Sequence, residues 1–252
     1  MKNGGESLKS AVIITGSSGA IGQHLVAKLM AHNYCVIGLD ITPCIHTPPS
    51  HFINVDLGKL VFDSSYYQEV ISDIQSIIKH KRLELLLNNA ATQILVEPNP
   101  HGADDFMTSQ AINAGAPLVL YRGLFSRLKT DGGTVVNIGS IHSRLTKPGF
   151  AVYAASKAAL RSLTESLAIE NKGAVRIFSI EPAAVDTPML REGLKDPANL
   201  KKLEEHHPAG IISSAKELAD FVFLLFSSDT KFLHGSCVDF SGGISNRLHD
   251  PY

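Results

Sequence analysis

Three cysteines, Cys35, Cys44 and Cys237, are all the chain has. Their number is odd and none stands in C-x-x-C spacing, which argues against a disulfide framework and against a zinc site and leaves reduced, cytosolic thiols as the expectation. An excess of one charge is missing too: 23 basic against 24 acidic residues leave a formal charge of −1, without the basic surplus that nucleic acid or an anionic membrane calls for. No apolar run approaches the roughly 18 residues needed to span a bilayer. The start, Met1 to Ser10, is polar, contains Gly4 and Gly5, and lacks the apolar centre of a secretion signal. Repeats of solenoid period, low-complexity tracts and blocks of like charge are also absent. The expectation is a soluble, cytoplasmic protein that handles small molecules, with no nucleic acid and no membrane as partner.

A length of 252 residues, 44% of them apolar, suits one large α/β domain and not two separate ones. Short β-rich runs at Ala11 to Thr15, Tyr34 to Leu39, Leu83 to Leu87, Thr134 to Ile138, Val175 to Ile180 and Ser236 to Phe240 alternate with longer helical stretches. The helices are expected at Ile21 to His32, Tyr67 to Lys79, Asp104 to Leu128, Val152 to Asn171 and Ala215 to Ser227. This order predicts a doubly wound parallel sheet of the Rossmann type in a single domain, 1–252. Two stretches interrupt it: Thr42 to Ser50, rich in Pro and His, and Pro188 to Ile211, with Pro188, Pro197 and Pro208. The second, residues 188–211, is the candidate substrate lid.

After the first strand comes T-G-S-S-G-A-I-G, Thr15 to Gly22. Gly16 suits a tight turn, Gly19 lets the backbone approach a pyrophosphate, and Gly22 lets the next helix pack closely on the sheet, so that helix-terminal N–H groups meet the anion. Gly16, Ser18, Gly19, Ile21 and Gly22 are the candidate phosphate-side residues. The second strand ends at Asp40, eighteen residues after Gly22, where a carboxylate accepts hydrogen bonds from an adenosine ribose diol and repels a 2′-phosphate. No Lys or Arg at Ser17, Ser18 or Ile41 compensates. The expected cofactor is therefore NAD and not NADP; the plain alternative for Asp40 is an acid that caps the loop.

Ser140, Tyr153 and Lys157 stand in the pattern S-x12-Y-x3-K. Residues four apart share a helix face, so the Lys157 ammonium is expected near the Tyr153 phenol. A nearby cation favours the phenolate and lowers a pKa that is otherwise about 10, which makes the tyrosine a usable acid or base. Together with the glycine turn, the pattern points to a nicotinamide-dependent carbonyl/alcohol oxidoreductase.

With these motifs in order, the chain from Ala11 to Ile244 resembles the short-chain dehydrogenase/reductase family in its single-domain branch. The resemblance implies that Asp56 in N-V-D-L meets the adenine amino group, with Leu57 beside it, and that Asn88-Asn89-Ala90 shapes the adenosine side, Asn89 and Ala90 touching the cofactor. It implies that Asn113 holds a water in a proton relay and that Ser140 hydrogen-bonds the substrate oxygen. In alcohol oxidation Tyr153 then removes the hydroxyl proton while Lys157 lowers the tyrosine pKa and binds the nicotinamide ribose. In E-P-A-A-V-D-T-P, Pro182, Val185 and Thr187 are implied cofactor neighbours. Ala91, Ala183 and Ser241 depart from the family pattern, and a methyl group at Ala183 is expected to narrow the pocket. The departures keep a catalytically silent, nucleotide-binding scaffold among the readings. An NADPH-dependent ketoacyl-type reductase is the enzymatic rival, discriminated by cofactor affinity. A nucleotide-sugar epimerase would need more chain after Val175, and an enoyl reductase a wider Tyr–Lys spacing.

The substrate side is less legible, because fold does not fix substrate. Gln93, Ile141, His142, Phe150, Met189 and Leu190 lie beside the catalytic motifs and are candidate pocket residues. His142, two residues after Ser140, either orients a polar group or faces solvent as a loop residue. The histidines, including His206-His207, lack ligand spacing, so no metal is expected. Arg144 and Lys147 read as solvated loop cations, and no acidic substrate is assigned. The helix from Val152 is rich in small residues, Ala154, Ala155, Ala158 and Ala159 among them, which lets a partner helix come close; the resemblance implies a homo-oligomer, a tetramer or dimer.

Overall fold

Unbroken apolar runs such as A-V-I-I-T and L-L-L-N have no polar face to offer water, so they form strands covered on both sides. A computed structural model describes residues 10–44, 46–95, 103–194, 196, 198–228 and 230–247. Its first half contains β1 (Ser10–Thr15), α1 (Ala20–Ala31), β2 (Cys35–Asp40), β3 (His51–Asn54), α2 (Leu57–Phe62), α3 (Ser64–Ile78), β4 (Arg82–Asn88), α4 (Ala103–Gln110) and α5 (Ala116–Asp131). There follow β5 (Thr134–Ile138), α6 (Ala151–Glu170), β6 (Arg176–Pro182), β7 (Val185–Asp186), α7 (Pro188–Leu194), α8 (Ala198–His206), β8 (Ser213–Ser214), α9 (Ala215–Ser227) and β9 (Cys237–Phe240). Seven strands pair in parallel in the order β3-β2-β1-β4-β5-β6-β9, and β7 pairs with β8 alone. The chain winds outward from β1 to β3, returns to β4 and winds the other way, which opens a crevice at the carboxyl ends of β1 and β4.

Period-two alternation sorts the core into two layers. Ala11 and Ile13 of β1 pack with Val70 and Ile74 of α3 and with Leu120 and Leu124 of α5. Val12 and Ile14 face the opposite layer, with Leu25 and Leu29 of α1 and Leu218 and Val222 of α9. Each such fully buried aliphatic side chain stabilises the fold by roughly 1.5 to 3 kcal/mol. Asp63 caps α3 through the Ser65 and Tyr66 N–H groups, and Ser214 caps α9 through that of Glu217.

The expected Rossmann-type sheet is present, and the alternation is richer than the sequence predicted. β3 and α2 follow directly on the Thr42–Ser50 interruption. The expected single helix 104–128 is interrupted by a π turn at Ala111–Gly115. The candidate lid contains two helices, α7 and α8. The polar start up to Lys9 lies outside the described residues, as do Ile45, Lys195 and Pro197. No helix among the described residues is long and apolar enough to cross a membrane, and all three cysteines are free.

Candidate active site

The glycine turn leaves β1 with Gly16 at φ +66°, where any Cβ would lie 2.8 Å from Ala90 Cα, and a Cβ on Gly22 would lie 2.0 Å from Gly16 O. Both glycines are thus required by the protein's own packing, and Gly22 is the one member of the phosphate set that does not line the cavity described below. Gly19 is different. A Cβ there would meet nothing closer than Gly16 O at 3.5 Å, yet the residue lines the cavity and begins α1 without any side-chain cap. Orphan N–H groups at the start of a helix suit an anion, so the turn fits a pyrophosphate.

Asp40 closes this end. Its Oδ2 accepts the Ser18 N–H at 2.9 Å and its Oδ1 the Ile41 N–H at 2.8 Å. The carboxylate therefore caps the loop and also faces the cavity, so the two readings of Asp40 are not exclusive. Asp56 caps α2, its Oδ1 accepting the Lys59 N–H at 3.0 Å, and lines the same end with Leu57. Asn89 donates from Nδ2 to the carbonyls of Thr15 and Gly16 at 3.1 and 3.0 Å. Thr15 Oγ1 in turn accepts the N–H groups of Asn89 and Ala90, each at 3.0 Å. This role of Thr15 was not read from the sequence, where it counted only as the end of a strand.

α6 stacks Tyr153 and Lys157 one turn apart, both buried. Lys157 Nζ donates to Ile138 O at 2.8 Å and lies 5.8 Å from the Tyr153 ring centroid. Burial pushes the Lys157 ammonium down to about 8. Burial also pushes the Tyr153 phenol up to about 12, opposed by its hydrogen bond with the Ser140 hydroxyl. The expectation that the lysine lowers the tyrosine pKa is therefore not met in this structure, where desolvation of the phenolate sets the direction. Ser140 ends β5's approach and starts a short 3-10 turn, its Oγ accepting the His142 N–H at 3.1 Å.

Asn113 stands in the π turn, a helix irregularity that recurs at functional sites. Its amide is fully used: Oδ1 accepts the Thr92 N–H at 2.8 Å, and Nδ2 donates to Thr92 O at 2.9 Å and Ser156 Oγ at 2.8 Å. The side chain clamps the segment after β4 and does not line the cavity, so a water held at this point would have to meet the main chain.

Ser140, Tyr153 and Lys157 open onto one cavity of about 1010 Å³, which is also lined by Asp40, Asp56, Lys147 and Arg247. Ser18, Ile21, Asn89, Ala90, Pro182, Val185 and Thr187 line it, as do Gln93, Ile141, His142, Phe150 and Met189. His142 packs against Phe150, with ring centroids 4.5 Å apart, and burial lowers its pKa, which favours the uncharged ring. Ala183 also lines the wall, its methyl group standing where the family pattern has glycine. Leu203, His206, His207, Ile244 and Arg247 line it as well. The first three fall inside the stretch 188–211 expected to be the lid, whereas no sequence signal marks Ile244 and Arg247, which come from the segment after β9, far from any motif.

The cavity of about 1010 Å³ is lined by the glycine turn and by the Asp40 carboxylate, a combination that suits a dinucleotide. A family model described as short chain dehydrogenase matches residues 10–198. An uncharacterized short-chain type dehydrogenase/reductase, y4vI, of Sinorhizobium fredii is 30% identical over 92% of this chain; the chain spans 43% of that protein's length. In structure, the aldohexose dehydrogenase of Thermoplasma acidophilum matches with a TM-score of 0.87 at 22% identity, over 97% of this chain and 98% of the other. A gluconate 5-dehydrogenase from Burkholderia cenocepacia, solved with NADP and tartrate, matches with a TM-score of 0.83 at 21% identity, over 96% and 97%. The chain belongs to the short-chain dehydrogenase/reductase family. At the level of the family, that membership supports an oxidoreductase acting on CH–OH groups with a nicotinamide cofactor.

Proposed function

We propose that the protein is an NAD-dependent dehydrogenase that interconverts a secondary alcohol and its ketone, working in the cytoplasm as a homodimer or homotetramer, with residues 188–211 as its substrate lid. The observation that carries the choice of NAD is the Asp40 carboxylate at the end of the phosphate turn. Ile41 and Thr42 follow it in the chain, and among the described residues the hydrogen bonds it accepts come from main-chain N–H groups. A 2′-phosphate would meet a negative charge there. The free thiols suit a reducing compartment.

Bound along this cavity, the cofactor supplies the hydride acceptor for oxidation or the donor for reduction. Gly19 and the first turn of α1 bind its pyrophosphate, Asp40 its adenosine ribose, and Pro182, Val185 and Thr187 flank its nicotinamide. Ser140 holds the substrate oxygen with its hydroxyl. Tyr153 Oη takes the proton from that oxygen in oxidation and returns it in reduction. Lys157, anchored on Ile138 O, keeps its ammonium on the tyrosine's helix face and reaches the nicotinamide ribose. Protonated at neutral pH, Tyr153 is set to donate, so reduction needs no prior ionisation.

The test is a pair of titrations with NADH and NADPH, followed by nicotinamide fluorescence. NADH is expected to bind at least tenfold more tightly. Equal or tighter NADPH binding would favour the ketoacyl-type reductase, and no binding of either would leave only the scaffold reading. Tyr153→Phe is expected to abolish turnover of the secondary alcohols found by screening while leaving NADH binding within about twofold; retained turnover rejects the assignment.

A further inference from the structure

Glu181 is the penultimate residue of β6, and its side chain has no exposure to solvent at all. Oε1 accepts the Ser143 hydroxyl at 3.0 Å. Oε2 accepts Arg161 Nη1 at 2.7 Å and lies 3.5 Å from Arg144 Nε. Each guanidinium has a second carboxylate further out: Arg144 meets Asp239 at 3.0 Å and Arg161 meets Glu165 at 3.1 Å. The oxidoreductase chemistry derived above uses none of these groups.

Their placement is specific. Ser143 ends the 3-10 turn that Ser140 begins, and Arg144 follows it. Arg161 is one helix turn beyond Lys157 and two beyond Tyr153, in the same row on α6. On the near side of the serine, a Cβ on Gly139 would lie 3.2 Å from Glu181 Cγ. The next residue along the strand is Pro182, in the cavity wall. One buried carboxylate therefore touches the residue before Ser140, holds the turn three residues after it and grips the helix of Tyr153 and Lys157. Stability does not account for the arrangement. Desolvating an ion pair costs about what its attraction returns, and β6 is already fixed by main-chain pairing on both sides.

We propose that Glu181 is a positioning residue, which sets the distance between Ser140 and Tyr153 by tying the serine turn and the tyrosine helix to one point on β6. The inference rests on the oxidoreductase reading, and its test separates the two. Glu181→Gln keeps the shape and an acceptor for Ser143 but removes the charge that holds Arg161. With a secondary alcohol found by screening, kcat is expected to fall at least tenfold, with KM for NAD and the NADH dissociation constant each within about twofold of wild type. Glu181→Asp, one methylene too short to span both arms, should fail to restore it. Crystal structures are expected to show Ser140 Oγ withdrawn from Tyr153 Oη in both variants.

Ser143→Ala cuts the serine arm alone and leaves the ion pairs standing, so it decides the matter if the charge variants do not fold. Its kcat is expected to fall severalfold with cofactor binding intact. Wild-type kcat in Ser143→Ala, or an unmoved Ser140 in the crystals, overturns the proposal. A wild-type protein that binds NADH and turns over no alcohol or ketone would sink the oxidoreductase reading instead, and the position of Ser140 in the variant crystals would still decide the role of Glu181.

Discussion

Lys157 is 98% withdrawn from solvent and faces one carbonyl, so its charged form is the costly one. With its pKa held down at about 8 against an ordinary 10.5, the unfolded chain binds a proton between these values that the folded chain has released. Stability must then rise with pH from about 8 to 10.5 on account of this residue. Tyr153 acts in the opposite sense. Its phenol, held up to about 12 from 10.0, keeps a proton that the unfolded chain loses, and its contribution is lost as pH climbs from 10 towards 12. Melting curves of wild type and Lys157→Met between pH 7 and 10 are expected to diverge. The wild type should gain relative to the variant above pH 8, and parallel curves would show that the ammonium is not desolvated. The S-x12-Y-x3-K spacing was enough to bring these groups together on paper. It could not reveal which effect dominates the phenol, because burial depends on what Phe150 and His142 cover, and those contacts are tertiary.

At the scale of the element, the turn between β1 and α1 separates two uses of glycine. Gly22→Ala places a methyl group 2.0 Å from Gly16 O, with no flexible atom to yield, so both stability and NADH binding should drop sharply. Gly19→Ala meets only an ordinary contact, at a backbone φ of −69° that alanine accepts. Its melting temperature is expected to stay within about 2 °C of wild type while NADH affinity falls at least tenfold. Equal affinity would mean that no phosphate passes over Gly19. Elements with a continuous apolar run or a long helical period were legible: β1, β4, β5 and α6 lie within a residue or two of their expected limits. β3 was not, since His51–Asn54 is four residues at a half-exposed edge. α8 was not, since A-N-L-K-K-L-E-E-H has no buried face for a pattern to mark. The π turn was invisible because I-N-A-G obeys the same helical spacing as its flanks.

The whole molecule ends its sheet in a short, half-exposed strand, β9. Phe232, in the short turn before it, is 96% exposed. A large apolar side chain left bare close in the chain to an edge strand suits an association surface. Light scattering is expected to give a dimer or tetramer, and Phe232→Glu to lower the mass; a monomeric wild type at micromolar concentration would reject the assembly. Most of the candidate site was readable because its residues fall in compact motifs. Ile244 and Arg247 were not, because only the fold brings the segment after β9 to the cavity, and Leu203 and His207 were marked only as part of the stretch 188–211.

One continuous sheet carries both the cofactor strands and the catalytic strands, and that has a kinetic consequence. Two-body enzymes admit ligands by swinging apart, but here β1 and β4 are neighbours and cannot separate. If residues 188–211 are the lid proposed above, the wall that lifts is the excursion between β6 and α9, whose fastenings include a β7–β8 pair two residues long and Arg247's bond to the His206 carbonyl. Under that proposal, exchange of product for fresh reactant depends on how often this flap peels back, and the sheet sets the geometry of the reaction without setting its pace.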